Sequence, residues 1–355
     1  MIQIVKKGET SKKKKILIHI SALSFALLTA SLFILLMGHS PLKVYLSMIQ
    51  GAFGTSYRLS ETIVKTIPLV ITSLGIALAF RMKFWNIGAE GQIIMGAFGA
   101  SWFALSYPHL PSWILLPLMA LGGLIGGGLW ALIPAFFRAR FRTNETIFTL
   151  MLNYIALKWI TYLQNGPWKD PGALGFPKIP NFHEHAVLPR LFGIHIGWLI
   201  ALVLVALSAL FINRTKKGYE IQVIGESENT ARYAGINVPG TILTTIFLSG
   251  ALCGLTGMIE ASAINKTLSV EITGGVGYTA IITAWLANLK EPLIIVVSFL
   301  FAAMIQGSSY IQMAFQIPQS AAEILQGLIL FFVLGSEFFI RYRIHIRRNP
   351  VKGVS

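Results

Sequence analysis

Cysteine occurs once in the 355 residues, at Cys253 inside an apolar run, and 14 acidic side chains face 29 Lys and Arg. A single cysteine excludes an intrachain disulfide framework and any cysteine-based metal site; packing is its expected role. The 7 His lie mostly in loops. His183 and His185 alternate, but no H-E-x-x-H pattern exists, so no zinc or other metal site is expected. A G-x-x-x-x-G-K-[ST] phosphate loop is also missing, so the chain does not bind ATP in that way, and energy must come from another chain or an ion gradient. No nucleophile and base stand together at a recognisable spacing, which argues against an enzyme and for no catalytic residues.

What is present is apolar. The chain is 54% hydrophobic and 12% charged, with mean hydropathy +0.67. That is too apolar for a soluble domain to cover its surface with charge, and it places the chain in a membrane. The net charge of +15 then reads as basic loops beside an anionic leaflet rather than as a nucleic-acid footprint. About ten apolar segments approach the roughly 20 residues a helix needs to cross about 30 Å of hydrocarbon. They lie near 16–38, 61–80, 88–107, 112–136, 144–163, 196–212, 241–261, 275–288, 292–311 and 320–340, the eighth too short to span alone. The first follows "KKKK" but is too long for a secretory signal and lacks a small-residue cleavage site, so it is expected to be retained. Basic residues concentrate in alternate loops, as at Arg138, Arg140 and Arg142 and at Arg214, Lys216 and Lys217. Cytoplasmic loops carry such an excess, which predicts both termini inside.

This divides the chain into a basic cytoplasmic tail at 1–15, a transmembrane domain at 16–340 and a second basic tail at 341–355. Two loops are long. Residues 164–195, rich in Pro, Gly and aromatics, form an ordered but irregular outer cap. Residues 213–240 read differently. Ser227 can cap a helix start, Gly235 stands where a helix would stop and Pro239 follows, so about two turns of helix are predicted on the inner side.

The segment "FWNIGAEGQIIMG" (84–96) places Asn86, Glu90 and Gln92 with two glycines between apolar runs. Asn86 is expected as the helix N-cap, and Glu90 in the first turn complements the positive end of the helix dipole. Irregular backbone at membrane depth is tolerated only where protein or a water-filled cavity satisfies it, so the break is either an inner-face turn or the lip of a pathway. Asn144, Glu145 and Asn153 in the fifth segment, Glu260 in the seventh, Gln306 in the ninth and Glu323 in the tenth are further polar residues in apolar runs, facing a pathway or a partner, or capping and snorkelling near span ends. Gly122/Gly126 and Gly250/Gly254, each spaced G-x-x-x-G, predict close helix packing.

The pair "FWNIGAEGQIIMGAFGA" (84–100) and "GYEIQVIGESENTARYAGINVPG" (218–240) resembles the permease subunits of ABC importers for branched-chain amino acids, ribose and nucleosides, over residues 60–340. Within that group, "GPWKDPGALGFPKIP" (166–180) resembles permeases of bacterial nucleoside (guanosine-type) importers. The resemblance implies an all-α integral membrane protein of the type II importer kind, with ten helices in two related halves, although no sequence repeat is visible. It implies a second permease subunit, a cytoplasmic ABC ATPase that binds the ATP and Mg, and an extracellular substrate-binding lipoprotein, all at the bacterial plasma membrane. No cofactor is expected on this chain. Segment 84–91 would match a broken region near the pathway, with Asn86, Glu90, Gln92, Asn144, Glu145, Asn153 and Gln306 as pathway candidates. Loop 213–240 would couple to the ATPase through Glu226, Ser227, Glu228, Arg232, Tyr233 and Gly235. Nucleoside uptake is the leading expectation. The alternatives are a sugar or branched-chain amino acid as cargo, and an ion-coupled carrier that uses Glu90, Glu145 or Glu323.

Overall fold

The computed structural model describes residues 2–6 and 11–346; residue 1, residues 7–10 and residues 347–355 of the two expected tails lie outside the described residues. Helices carry the fold: α1 (Lys12–Leu36), α2 (Pro41–Phe53), α3 (Ser56–Arg81), α4 (Ala89–Ser106), α5 (Ser112–Phe141), α6 (Glu145–Asn165), α7 (Gly197–Arg214), α8 (Lys216–Glu226), α9 (Glu228–Tyr233), α10 (Val238–Ile259), α11 (Val276–Leu286), α12 (Glu291–Phe315) and α13 (Gln319–Arg341). A π-helical turn, Glu260–Asn265, prolongs α10. The described strands are short: β1 (Ile2–Lys6) pairs antiparallel with β4 (Tyr342–Ile346), and β2 (Arg190–Leu191) with β3 (Ile194–His195).

Eight helices among the described residues are long and apolar enough to cross a membrane. The remaining two of the ten expected segments fall short for physical reasons. In α4 the opening Ala-Glu-Gly-Gln dilutes the hydropathy, and α11 has only 11 residues. Two helices were not foreseen. In α2, Pro at the first turn starts a short helix that buries Val44, Gly51 and Ala52. In α8, the Thr215 hydroxyl accepts the Gly218 N–H at 3.0 Å and so caps a helix start inside the long inner loop.

The chain forms two compact units, residues 1–59 with 303–355, and residues 60–302. In the first, Ala30, Ile34, Val44, Ile311 and Leu325 make a small core. The Tyr45 hydroxyl donates to the Leu27 carbonyl at 2.6 Å and ties α2 to α1, and His19 meets Ser336 at 2.9 Å between α1 and α13. The guanidinium of Arg58 sits 4.1 Å over the Tyr310 ring.

In the second unit α4, α5 and α10 pack backbone to backbone. A Cβ placed on Gly254 would strike the Gly123 carbonyl, and one on Gly96 would strike Gly254 itself. Gly122 lies against Gly99, and Gly127 against Gly250, so the G-x-x-x-G spacings mark real contacts. This tight three-helix core holds the start of α4, where the polar residues gather.

Candidate functional site

Between α3 and α4 the chain runs irregularly through Phe84–Gly88, wedged by Trp85 against Phe80 and Trp285 at ring separations of 5.1 and 5.4 Å. Asn86 is not the N-cap expected of it. Gly88 holds that position, and the Asn86 Oδ1 accepts the Gly88 N–H at 3.0 Å from two residues upstream. The same oxygen accepts from Gln92 Nε2 at 3.0 Å, while Asn86 Nδ2 donates to Gln92 Oε1 at 3.1 Å and Ser249 Oγ at 3.2 Å. The two amides face each other in a reciprocal pair, fully enclosed, and satisfy the donors and acceptors that burial would otherwise leave costly.

Glu90 joins a second break, the irregular residues 266–275 that precede α11. One carboxylate oxygen accepts the Thr273 hydroxyl, and the other accepts the Gly277 N–H at 2.8 Å, in the first turn of α11. A negative group at that helix start meets unpaired N–H donors and the positive end of the dipole. A Cβ on Gly277 would strike Glu90, so this closeness requires glycine. Asn153 on α6 completes the cluster. Its Oδ1 accepts the Gly91 N–H at 2.8 Å, and its Nδ2 donates to the Ile87 carbonyl at 3.0 Å and the Tyr278 hydroxyl at 3.4 Å. Thr149 accepts the Ile87 N–H at 3.3 Å. The backbone of Ile87 in the break and of Gly91 in the first turn of α4 thus finds partners in α6 side chains.

Four predicted residues therefore meet here: Asn86, Glu90, Gln92 and Asn153. Three others do not. Asn144 is exposed and caps α6, accepting the Thr146 and Ile147 N–H groups at 3.0 and 3.3 Å, so it is not a buried intramembrane polar group. Glu145, in the first turn of α6, pairs with Arg138 at 3.1 Å. Gln306 is half-buried on α12 in the other unit. Glu323, also in that unit, is exposed and accepts from Gln319 at 2.9 Å. Thr149, Ser249, Thr273, Gly277 and Tyr278 went unnoticed because nothing local marks them; their partners lie far away in sequence.

The loop 213–240 is a second constellation. Ser227 Oγ accepts the Thr230 N–H at 3.2 Å and starts α9, and Gly235 at φ +74° ends it while the Ile236 N–H returns to the Ala231 carbonyl at 3.0 Å. Pro239 does more than follow, since it stands in the first turn of α10 behind the capping Asn237. The loop is anchored at several points. Arg138 links Glu145 to Glu228 (3.4 Å), and the Glu226 carbonyl accepts from Lys83 at 3.4 Å. A Cβ on Gly225 would strike the Arg81 carbonyl, and Arg81 pairs with Glu291 at 2.8 Å and bonds the Leu289 carbonyl. The Glu220 carboxylate accepts from Lys217 at 2.7 Å and Thr241 at 2.9 Å; the Lys217 bond is the main reason its pKa lies below the usual carboxylate value. Arg232 and Tyr233, by contrast, project freely, Tyr233 being 93% exposed. A cavity of about 650 Å³ opens beside the anchor, lined by Arg81, Lys83, Gln222, Glu226 and Glu291.

In the cap loop, the β2–β3 hairpin buries His195, whose Nδ1 accepts the Gly197 N–H at 3.3 Å. Burial, aided by the Arg190 charge, pushes this imidazole down to about 4.

The chain belongs to the family described as branched-chain amino acid transport system / permease component, whose model matches residues 58–334. It is 32% identical to the glucose ABC transporter permease protein TsgB13 of Haloferax volcanii, over 86% of this chain and 83% of that one. It is 30% identical to the guanosine ABC transporter permease protein NupP of Bacillus subtilis, over 92% and 95%. A second guanosine ABC transporter permease protein of Bacillus subtilis, NupQ, is 29% identical over 62% of this chain and 72% of its own length. The protein is an ABC permease with several membrane-spanning helices, a transport component rather than an enzyme.

Proposed function

We propose that this permease forms the transmembrane pathway for nucleoside uptake in an ATP-driven importer of the bacterial plasma membrane, with both termini cytoplasmic. The observation that carries the cargo is the nearly end-to-end match to NupP, spanning 92% of this chain and 95% of the relative. In this reading a second, different permease completes the pathway, as the similarity to both NupP and NupQ supports. A cytoplasmic ABC ATPase binds ATP and Mg and docks on α9, and an extracellular binding lipoprotein delivers the cargo. Asn86, Glu90, Gln92 and Asn153 hold the two helix breaks beside the pathway, and Glu226, Ser227, Glu228, Arg232, Tyr233 and Gly235 form the coupling element. A second reading, a simple sugar as cargo, is favoured by the 32% identity to TsgB13.

Uptake of labelled guanosine, glucose and leucine into vesicles holding the assembled complex separates these. Guanosine uptake well above the other two is expected. Background guanosine uptake with robust glucose transport would replace the first reading by the second.

A further inference from the structure

One spanning helix carries a charge in an unexpected place. Lys158 lies within α6, one of the eight membrane-spanning candidates, and it is exposed. With a rise of 1.5 Å per residue, it sits about 20 Å from the Glu145 end and about 10 Å from the Asn165 end. Among the described residues it makes no ion pair or hydrogen bond. An unpaired ammonium at this depth is expensive against hydrocarbon and stands where water or a polar solute can reach it.

The neighbours of Lys158 share its character. Tyr154 and Tyr162, four residues to either side, are exposed on the same arc of the helix. Trp159 stands 5.7 Å from the Tyr162 ring and 5.8 Å from Phe98. Tyr278 of α11 is exposed, and its hydroxyl receives the Asn153 amide of the pinned break. The opposite face of α6 is buried through Leu152, Asn153, Ala156, Ile160 and Leu163. The exposed residues of α6 from Met151 to Tyr162 thus combine aromatic rings, phenol hydroxyls and one cation with the apolar Met151 and Ile155.

We propose that Tyr154, Lys158 and Tyr162, with Tyr278, form the wall of the pathway that contacts the cargo, and that this wall takes a neutral nucleoside. This rests on the proposed function and names the surface that serves it. The chemistry follows from the groups. Aromatic side chains stack on a base regardless of its sequence identity. Phenol hydroxyls and an ammonium donate to base carbonyls and ring nitrogens, whereas the cation disfavours positively charged solutes. The alternative occupants are a partner helix bringing a carboxylate to Lys158, and lipid with the ammonium reaching toward the headgroups.

Cysteine substitution tests this directly, because the native Cys253 is fully buried and gives a silent background. Tyr154→Cys, Lys158→Cys, Tyr162→Cys and, as a control at an exposed position among apolar residues of α7, Leu207→Cys are labelled with a membrane-impermeant maleimide in membranes holding the assembled transporter. We expect the three α6 positions to react about tenfold faster than Leu207→Cys, since an aqueous wall admits the reagent and hydrocarbon does not. Guanosine should slow their labelling, and glucose and leucine should not. Uptake of guanosine by the unsubstituted complex is measured in parallel. Normal guanosine uptake with α6 positions as unreactive as Leu207→Cys overturns the wall and leaves the nucleoside function standing. Protection by glucose but not by guanosine overturns the ligand class. Absent guanosine uptake by the unsubstituted complex overturns the function itself, whatever the labelling shows. As an independent check, Lys158→Arg should keep a KM close to that of the unsubstituted chain while Lys158→Met raises it; equal KM values for both variants would also count against the wall.

Discussion

Asn86 and Gln92 exchange both amide hydrogen bonds in a fully buried place, and this makes the pair a test of the break. Removing Asn86 leaves the Gln92 donor and acceptor buried and unmatched, at a cost of about 1–3 kcal/mol, whereas removing Gln92 leaves Asn86 its bonds to Gly88 and Ser249. Removing both forfeits less than the sum. We therefore expect Asn86→Leu and Gln92→Leu each to lower the melting temperature of the purified protein, and the double variant to show a coupling of about 0.5–3 kcal/mol. Strict additivity would mean that the two side chains do not depend on each other. His195 gives a residue-scale pH dependence. Its folded pKa of about 4 lies below the ordinary 6.5, so between those values the unfolded state binds the extra proton. Stability of the cap hairpin must then fall as pH drops from about 6.5 to about 4, and no such loss occurs above that window. Protection factors of the amides in 190–197, taken relative to the intrinsic exchange rate at each pH, should fall as pH drops across this range in the native chain and stay flat in His195→Phe.

At the scale of elements, the decisive piece is α9. Six residues are too few for a helix to persist alone, so its caps and its anchors must hold it. Ser227 and Gly235 close the two ends, and Arg138 ties Glu228 to α6 through Glu145. One guanidinium on α5 thus bridges the first turns of α6 and α9, the tie on which the proposed coupling role would draw. Gly235→Val should disrupt the helix stop, because a β-branched residue is poorly suited to φ +74°. Arg232→Glu should weaken docking by reversing an exposed charge without touching any of the anchors. Both variants are expected to reach the membrane in normal amount yet lose the ATPase stimulation produced by loaded binding protein. Full stimulation in both would remove α9 from the coupling path.

For the whole molecule, the glycine-faced contacts of α4, α5 and α10 let three backbones approach closely and fix the start of α4 against α11 and α6. No phosphate loop exists anywhere in the sequence, so purified alone the chain should hydrolyse ATP no faster than a mock preparation. Co-purification from the source membranes should yield one copy of this chain with a different permease; a stable assembly with two copies of this chain and no second permease would contradict the pairing.

Hydrophobicity and spacing, read along the chain, were enough to place every spanning segment, to mark the break at 84–91 and to cap α9 at Ser227 and Gly235, because each of these depends on residues within a few positions of one another. The same local view expected Asn86 to cap α4 and left Asn144 and Glu145 between facing a pathway and capping a span end, since a capping oxygen and a pathway oxygen look alike in one dimension. Only the folded chain brings Gln92 and Ser249 to Asn86, Thr273 and Gly277 to Glu90, and Gly91, Ile87 and Tyr278 to Asn153. Those pairings form because irregular backbone inside an apolar bundle must find its hydrogen-bond partners wherever packing delivers them, and packing is set by which helix surfaces fit together rather than by which residues are neighbours in sequence.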